Sequence, residues 1–297
     1  MAKVLIVGCG AIGYELANTL AEAGHDVTGL KRNPPPVSQE KFKFVSADIT
    51  SPTGLEALDT DFEYIFFIVS ADSRNENSYH DIYETGINNL LNRFAQASSQ
   101  APWIFVSSTS VYGQSKGEWV NEDSATSPDK STSLKIVNAE RKLMAHNPAN
   151  VVVRYSGIYG PGREYLLRMA RQSPSIQHNP PYYTNRIHQR DCVAVLAFLL
   201  ERRIAGVSLE QCYLASDDDP ASLWEVMTWM TEKLHCNPPI AKITEDDSDM
   251  NKRCRNDKLK ELGYSFLYPS YKEGYLELLI QPAIQHCDSL RSLFCSQ

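Results

Sequence analysis

The stretch Lys3-Val4-Leu5-Ile6-Val7-Gly8-Cys9-Gly10-Ala11-Ile12-Gly13, with its continuation to Asn33, decides how the rest of the chain is read. Four apolar residues, Val4 to Val7, run into a glycine turn, after which Leu16, Ala17, Leu20 and Ala23 recur at helical spacing. A second apolar segment, Val27 to Leu30, follows and ends in Lys31-Arg32. Strand, glycine turn, helix and strand make the βαβ unit that binds dinucleotides: one glycine forms the tight turn, one lets backbone approach the pyrophosphate, and one lets helix and strand pack closely. The helix N-terminus receives the phosphates. G-x-G-x-x-G in this setting therefore marks a nucleotide site built from Gly8, Gly10, Ala11, Ile12 and Gly13.

The second strand says which nucleotide. Chains that take NAD place an acid there for the ribose hydroxyls, whereas chains that take NADP need a cation for the 2′-phosphate. Here Lys31 and Arg32 close the strand and the nearest acid, Asp26, precedes it, so NADP is expected rather than NAD. The competing reading of the two cations is a solvated loop. Asp48, after the third strand, is either a border of the adenine site or a cap for the turn at Ser51-Pro52.

Outward from this unit, Pro34-Pro35-Pro36 forces an extended loop. Further strands are expected at Phe42 to Val45, Tyr64 to Val69, Trp103 to Val106, Val151 to Val153 and Gln211 to Ala215. Helices at Ser78 to Gln96, Ser131 to Met144 and Asp191 to Glu201 fall among them. This alternation predicts an α/β fold, a Rossmann-type doubly wound parallel sheet of about seven strands. The expected division is a cofactor-binding core over 1–155, with 189–215 returning to the sheet, and a small substrate-binding cap from 156–188 and 216–297. The segments Gln114 to Asp129 and Ser173 to Asn185 read as loops. In the cap, Glu164 to Arg171 reads as a short helix, and Ala221 to Leu234 as a helix with Leu223, Met227, Met230 and Leu234 on one face. Leu259, Leu262, Tyr264, Phe266 and Tyr268 make its end aromatic-rich.

Composition narrows the partners. At 297 residues with 42% apolar and 22% charged residues, the chain can bury a core, and a formal net charge of -7 without a basic block argues against nucleic acid. A small-molecule partner is expected. No apolar run reaches membrane-spanning length, and the first residues lead directly into a strand with no room for a signal peptide, so the expected setting is cytoplasmic. Seven cysteines, from Cys9 to Cys287 and Cys295, include no C-x-x-C pair, and there is no H-E-x-x-H; reduced thiols and no metal site are expected.

A hydroxyl-rich run, Ser107-Ser108-Thr109-Ser110-Val111-Tyr112-Gly113, follows the fifth strand, and open parallel sheets bind ligands at such strand ends. With the glycine turn, Arg154 through Gly162 after the sixth strand, and Arg186-Ile187-His188-Gln189-Arg190-Asp191, the chain resembles the extended short-chain dehydrogenase/reductase superfamily, which contains the nucleotide-sugar epimerases and dehydratases. The resemblance spans nearly the whole chain. G-x-G-x-x-G in place of the more usual G-x-x-G-x-x-G points to an atypical branch.

The resemblance implies an oxidoreductase or epimerase/dehydratase-like activity on a polar substrate of the sugar-nucleotide kind. It also implies a Ser/Thr, Tyr and Lys set in which Tyr is the acid/base, because a phenol near pKa 10 must be brought towards neutrality by an adjacent cation. Ser108 matches the Ser/Thr position. The Tyr-x-x-x-Lys expected on the 131–144 helix is missing: no tyrosine lies between Tyr112 and Tyr155, and the positions that fit best are Thr132 and Ile136. Shifting by one pairs Ser131 with Lys135, which leaves Lys135 either a ribose-holding cation or an exposed helix lysine. Tyr83, aligned where the family carries asparagine, and Tyr112 are candidates for a relocated phenol, each against a packing role. Tyr155 and Gly157 are expected to pass the nicotinamide, Arg154 to anchor its strand end, and Asp191 to cap a helix. Thr109, Arg163, Arg186 and His188 are expected on the substrate side. A homodimer through the two long helices is the expectation by analogy. Two function classes remain: an NADP-dependent enzyme with a non-standard site, and a catalytically silent NADP-binding redox sensor or interaction protein. A methyltransferase would want an acid where Lys31-Arg32 stands.

Overall fold

The computed structural model describes residues 1–35, 41–95, 100–244 and 250–280. Pro36, Gln96, Cys287 and Cys295, and the parts of the cap at 245–249 and 281–297, lie outside the described residues. Seven strands form one parallel sheet: β1 (Lys3–Val7), β2 (Asp26–Lys31), β3 (Lys43–Ser46), β4 (Tyr64–Phe67), β5 (Trp103–Ser108), β6 (Val151–Tyr155) and β7 (Cys212–Ala215). Their order across the sheet is β7-β6-β5-β4-β1-β2-β3. This is the Rossmann-type doubly wound arrangement that the alternation of strands and helices predicts.

Side chains alternate between the two faces of a strand, and that alternation builds two cores. Leu5 and Val7 join Phe67, Phe105, Ile87, Leu90, Val137 and Leu143 on one face. Val4 and Ile6 join Phe66, Ile104, Leu16, Leu20, Leu196 and Leu199 on the other. Helices Ala11–Glu22 and Gln189–Ile204 therefore cover one face, and the long helix 76–94 with helix Ser131–His146 covers the other. The long helix is not uniform, because its middle turn, Asp81–Gly86, is wound as a π-helix. A third cluster, Tyr159, Leu167, Val226, Met227, Met230, Tyr271 and Tyr275, holds the cap together. Leu259 and Tyr264 pack instead beneath the sheet with Leu196 and Leu199, so the aromatic C-terminal segment is shared between core and cap.

Two segments that read as loops contain short strands. Glu118–Val120 pairs in parallel with Lys252–Cys254, and Ser175–Asn179 with Ile240–Ile243. Three to five residues with partners far along the chain carry too little periodicity to show in sequence. Helix Gln189–Ile204 also begins earlier than Asp191: His188 is the capping residue, accepting a hydrogen bond at Nδ1 from the Arg190 amide at 3.2 Å.

Candidate cofactor and active site

The sheet order reverses between β1 and β4, and open sheets present their ligand crevice at that point. The turn after β1 (Gly8 to Gly10) and the segment after β4 (Ile68 to Ser70) line a cleft with two lobes. Each glycine has its own reason to be there. Gly8 has φ +92, and a Cβ on it would lie 2.7 Å from the Ile68 carbonyl carbon. A Cβ on Gly13 would strike the Gly8 carbonyl oxygen and sit 3.3 Å from an Ile6 methyl, so the helix packs this close to its strand only with glycine. Around Gly10 nothing lies within 4 Å of where a Cβ would stand; the backbone there opens on the cleft. The first residues of helix Ala11–Glu22 line the same space, with amides that have no partner in the preceding turn. A turn open at Gly10 and closed at Gly8 and Gly13 fits a pyrophosphate.

The first lobe, about 210 Å³, is lined by Leu30, Lys31, Arg32, Asp48 and Ile82. Lys31 is exposed at the end of β2, and Arg32 donates from one guanidinium nitrogen to Asp72 at 2.7 Å while remaining half open to solvent. Asp48 lines the lobe and also accepts bonds at Oδ1 from the Thr50 amide, 2.9 Å, and hydroxyl, 2.8 Å, so a place in the cleft wall and a turn-holding role belong to one residue.

The second lobe, about 300 Å³, brings Ser108, Tyr83, Tyr155 and Arg163 together with Ser107, Ser110, Tyr79, Ile136 and Ser156. Ser108 Oγ accepts from the Ser110 amide at 3.1 Å and so holds the turn that presents both hydroxyls. Tyr83 is buried, its hydroxyl donating to the Val69 carbonyl at 3.4 Å, and burial pushes its phenol well up. Tyr155 is likewise buried and donates to the Cys192 carbonyl at 2.6 Å. Gly157 itself does not line the lobe, although its neighbours Ser156 and Ile158 do; it lies in strand Gly157–Tyr159, which pairs with Arg186–His188.

Other expected site residues lie away from the lobe. Tyr112 packs behind the loop: its hydroxyl donates to Asn121 O at 2.8 Å and accepts from Arg154 at 2.9 Å, and burial raises its phenol. Thr109 is buried in the turn, and Ser110 takes the place facing the lobe. Lys135 points to Glu84, Nζ to carboxylate 3.1 Å, while the next residue, Ile136, faces the lobe. Arg186 is buried, donating to the Thr184 carbonyl and hydroxyl with its guanidinium 5.3 Å from the Tyr271 ring centre. His188 is buried between Tyr268 and Tyr159, and burial lowers its imidazole to about 4.

Asp191 is not the helix cap. It is buried in the first turn and accepts from the Tyr264 hydroxyl and from the Leu267 and Tyr268 amides at 2.7, 2.8 and 3.0 Å. It thereby fastens the C-terminal segment to the core. Arg154 does anchor the strand end, through a buried pair with Glu140 at 2.7 Å that sequence reading does not find, since nothing in a 14-residue separation signals it. Glu140 also accepts from Ser107 in the lobe wall. Tyr79 is a further site residue that sequence reading misses, although its spacing of four from Tyr83 on a helix is a visible signal.

One buried acid gives a pH prediction. Asp217 is 1% exposed with Oδ2 unpartnered, and burial raises its carboxyl well above the ordinary range despite nearby Arg186. A raised carboxyl stabilises the fold fully below the unfolded value and loses that contribution as pH rises towards the folded value, about 1.4 kcal/mol per pH unit in between. Urea unfolding at pH 5 and 7 should show Asp217→Asn gaining on the parent as pH rises; a gap that does not change with pH contradicts this.

A glycine turn opening on a switch-point cleft, with a hydroxyl-bearing loop across from it, defines a dinucleotide-binding member of the short-chain dehydrogenase/reductase class. The family model for the NAD dependent epimerase/dehydratase family matches residues 4–203, and the chain belongs to that family. A solved structure from Methylobacillus flagellatus, assigned to the NAD-dependent epimerases/dehydratases, is 33% identical with a TM-score of 0.80, covering 95% of this chain and 99% of that one. Protein YeeZ of Escherichia coli is 26% identical over 283 residues, 91% of this chain and 97% of its own. MoeE5, solved with UDP-glucose and NAD, is 20% identical with a TM-score of 0.72 over 92% of this chain and 95% of that one, a likeness of fold. Among the described residues no helix is long and apolar enough to cross a membrane.

Proposed function

We propose that this chain binds NADP and acts as an oxidoreductase or epimerase/dehydratase-like enzyme on a polar substrate of the sugar-nucleotide class, through a site without the Tyr-x-x-x-Lys pair. The observation that carries the cofactor choice is Lys31 and Arg32 in the wall of the first lobe, two cations where a 2′-phosphate would lie. When bound, the nicotinamide supplies hydride exchange with a substrate carbon. Ser108 and Ser110 offer hydroxyls to the substrate oxygen, and Arg163 at the rim offers a cation to an anionic group. The substrate class rests on the family and on relatives such as MoeE5 with its UDP-glucose.

One observation favours a second reading, a silent NADP-binding sensor: apolar Ile136 faces the lobe where the family lysine would stand. Two sets of reactions, followed by chromatography and mass spectrometry, separate the two: 4-deuterated NADPH with a panel of carbonyls, for deuterium gained by the substrate, and NADP⁺ with a panel of sugar nucleotides, for an oxidised, epimerised or dehydrated product. The enzyme reading expects a labelled or altered product in at least one reaction. Tight binding of NADPH and NADP⁺ with neither supports the sensor instead.

A further inference from the structure

Resting on the cofactor reading above, we infer that Tyr79 is the phenol that exchanges a proton with the substrate oxygen in this cleft. A phenol is the group required, since a serine hydroxyl is far too basic to be left as an anion, and three phenols line the second lobe. Two are committed elsewhere. Tyr83 and Tyr155 are buried and donate to backbone carbonyls at 3.4 and 2.6 Å. Tyr79 is half-buried in the lobe wall, open to water, and no described residue bonds its hydroxyl.

The surroundings hold it there. Tyr79 lies one helical turn before Tyr83, ring centres 5.5 Å apart, and Tyr83 is itself set edge-on to Phe105 at 6.2 Å. The π-helical turn Asp81–Gly86 begins two residues after Tyr79, and such turns in α-helices are frequent at functional sites. Helix Glu76–His80 packs against Ser131–His146, where Glu84 joins His80 at 2.9 Å and Lys135 at 3.1 Å. Glu84, His80 and Lys135 thus pair with one another close to Tyr79, Ile136 makes the adjoining wall apolar, and Arg163 is a cation lining the same lobe. The phenol missing from helix Ser131–His146 is supplied from the helix packed against it.

The proton balance is simple. In reduction, Tyr79 Oη gives its proton to the substrate carbonyl oxygen while that carbon gains a hydride from reduced nicotinamide, leaving an alcohol and a phenolate that water reprotonates. In oxidation, the phenolate takes the hydroxyl proton while the hydride on that carbon passes to oxidised nicotinamide.

The test uses the full chain labelled with 3-fluorotyrosine, with NADPH and NADP⁺ as probes and binding followed separately by calorimetry. The fluorine resonance absent from Tyr79→Phe is expected to move on saturation with NADPH and to take a different position with NADP⁺, whose nicotinamide ring carries an extra positive charge. On any carbonyl that the chain reduces, Tyr79→Phe should lose on the order of 100-fold in kcat with NADPH affinity unchanged within twofold. Saturating binding of both cofactors without movement of that resonance overturns the assignment and leaves the cofactor reading standing. If calorimetry shows binding of neither cofactor, the cofactor reading fails and the assignment falls with it.

Discussion

Gly10→Val is expected to weaken NADP binding on the order of 100-fold, about 2.7 kcal/mol, while leaving the protein folded. The two halves of this expectation come from the same observation. No atom lies within 4 Å of a Cβ placed at Gly10, and its φ of −83 is one that any residue adopts, so a side chain there meets neither clash nor backbone strain. The space that it would fill borders both lobes of the cleft, where the turn and the first residues of helix Ala11–Glu22 open on the phosphate position. Gly8→Ala is the contrasting change: with φ +92 and the Ile68 carbonyl in the way, it should cost more than about 1 kcal/mol of stability. Calorimetric titration of NADP together with thermal unfolding separates the two variants. Undiminished affinity in Gly10→Val would mean that no phosphate passes there.

Glu140→Ala is expected to destabilise the fold by about 3–5 kcal/mol, a fall in Tm of roughly 10 °C for a domain of this size. The carboxylate accepts two bonds from Arg154, at 3.0 and 2.7 Å, and a third from Ser107. Removing it strands the Arg154 guanidinium, which is 5% exposed, with only the Tyr112 hydroxyl and the Glu122 carbonyl as partners. An unpaired buried cation costs far more than the pair contributes. Because Ser107 lines the second lobe and Tyr112 lies behind Ser108 to Ser110, the loss should also loosen the hydroxyl loop. Denaturant unfolding measures the first effect; a change below about 1 kcal/mol would be that of an ordinary surface pair and would contradict the buried network.

The sheet is legible in the sequence because its strands are apolar on both faces and bounded by turns: all seven fall within a few residues of their expected places, from Val4-Leu5-Ile6-Val7 to Gln211 to Ala215. The glycine turn is legible because Gly8 and Gly13 answer steric demands that no other residue meets, while Gly10 leaves open the space that a phosphate would take. Side-chain commitments are less so. Whether Tyr83 or Tyr79 faces solvent depends on the winding of Asp81–Gly86 and on what Phe105 fills, and neither is written in the tyrosine spacing. Asp191 looks like a cap because it stands at a helix start, but His188 takes that role and frees Asp191 to hold residues 264–268. Arg186 and His188 carry functional-looking side chains in a family motif, yet both are buried between core and cap.

The central claim, an NADP site chosen by Lys31 and Arg32, is tested most directly by titrating NADP⁺ and NAD⁺ into the parent chain and into the Lys31→Ala, Arg32→Ala double variant. The parent should bind NADP⁺ at least about tenfold more tightly, a difference of about 1.4 kcal/mol or more. The double variant should lose that preference with little change towards NAD⁺. Equal or tighter binding of NAD⁺ by the parent would contradict the account.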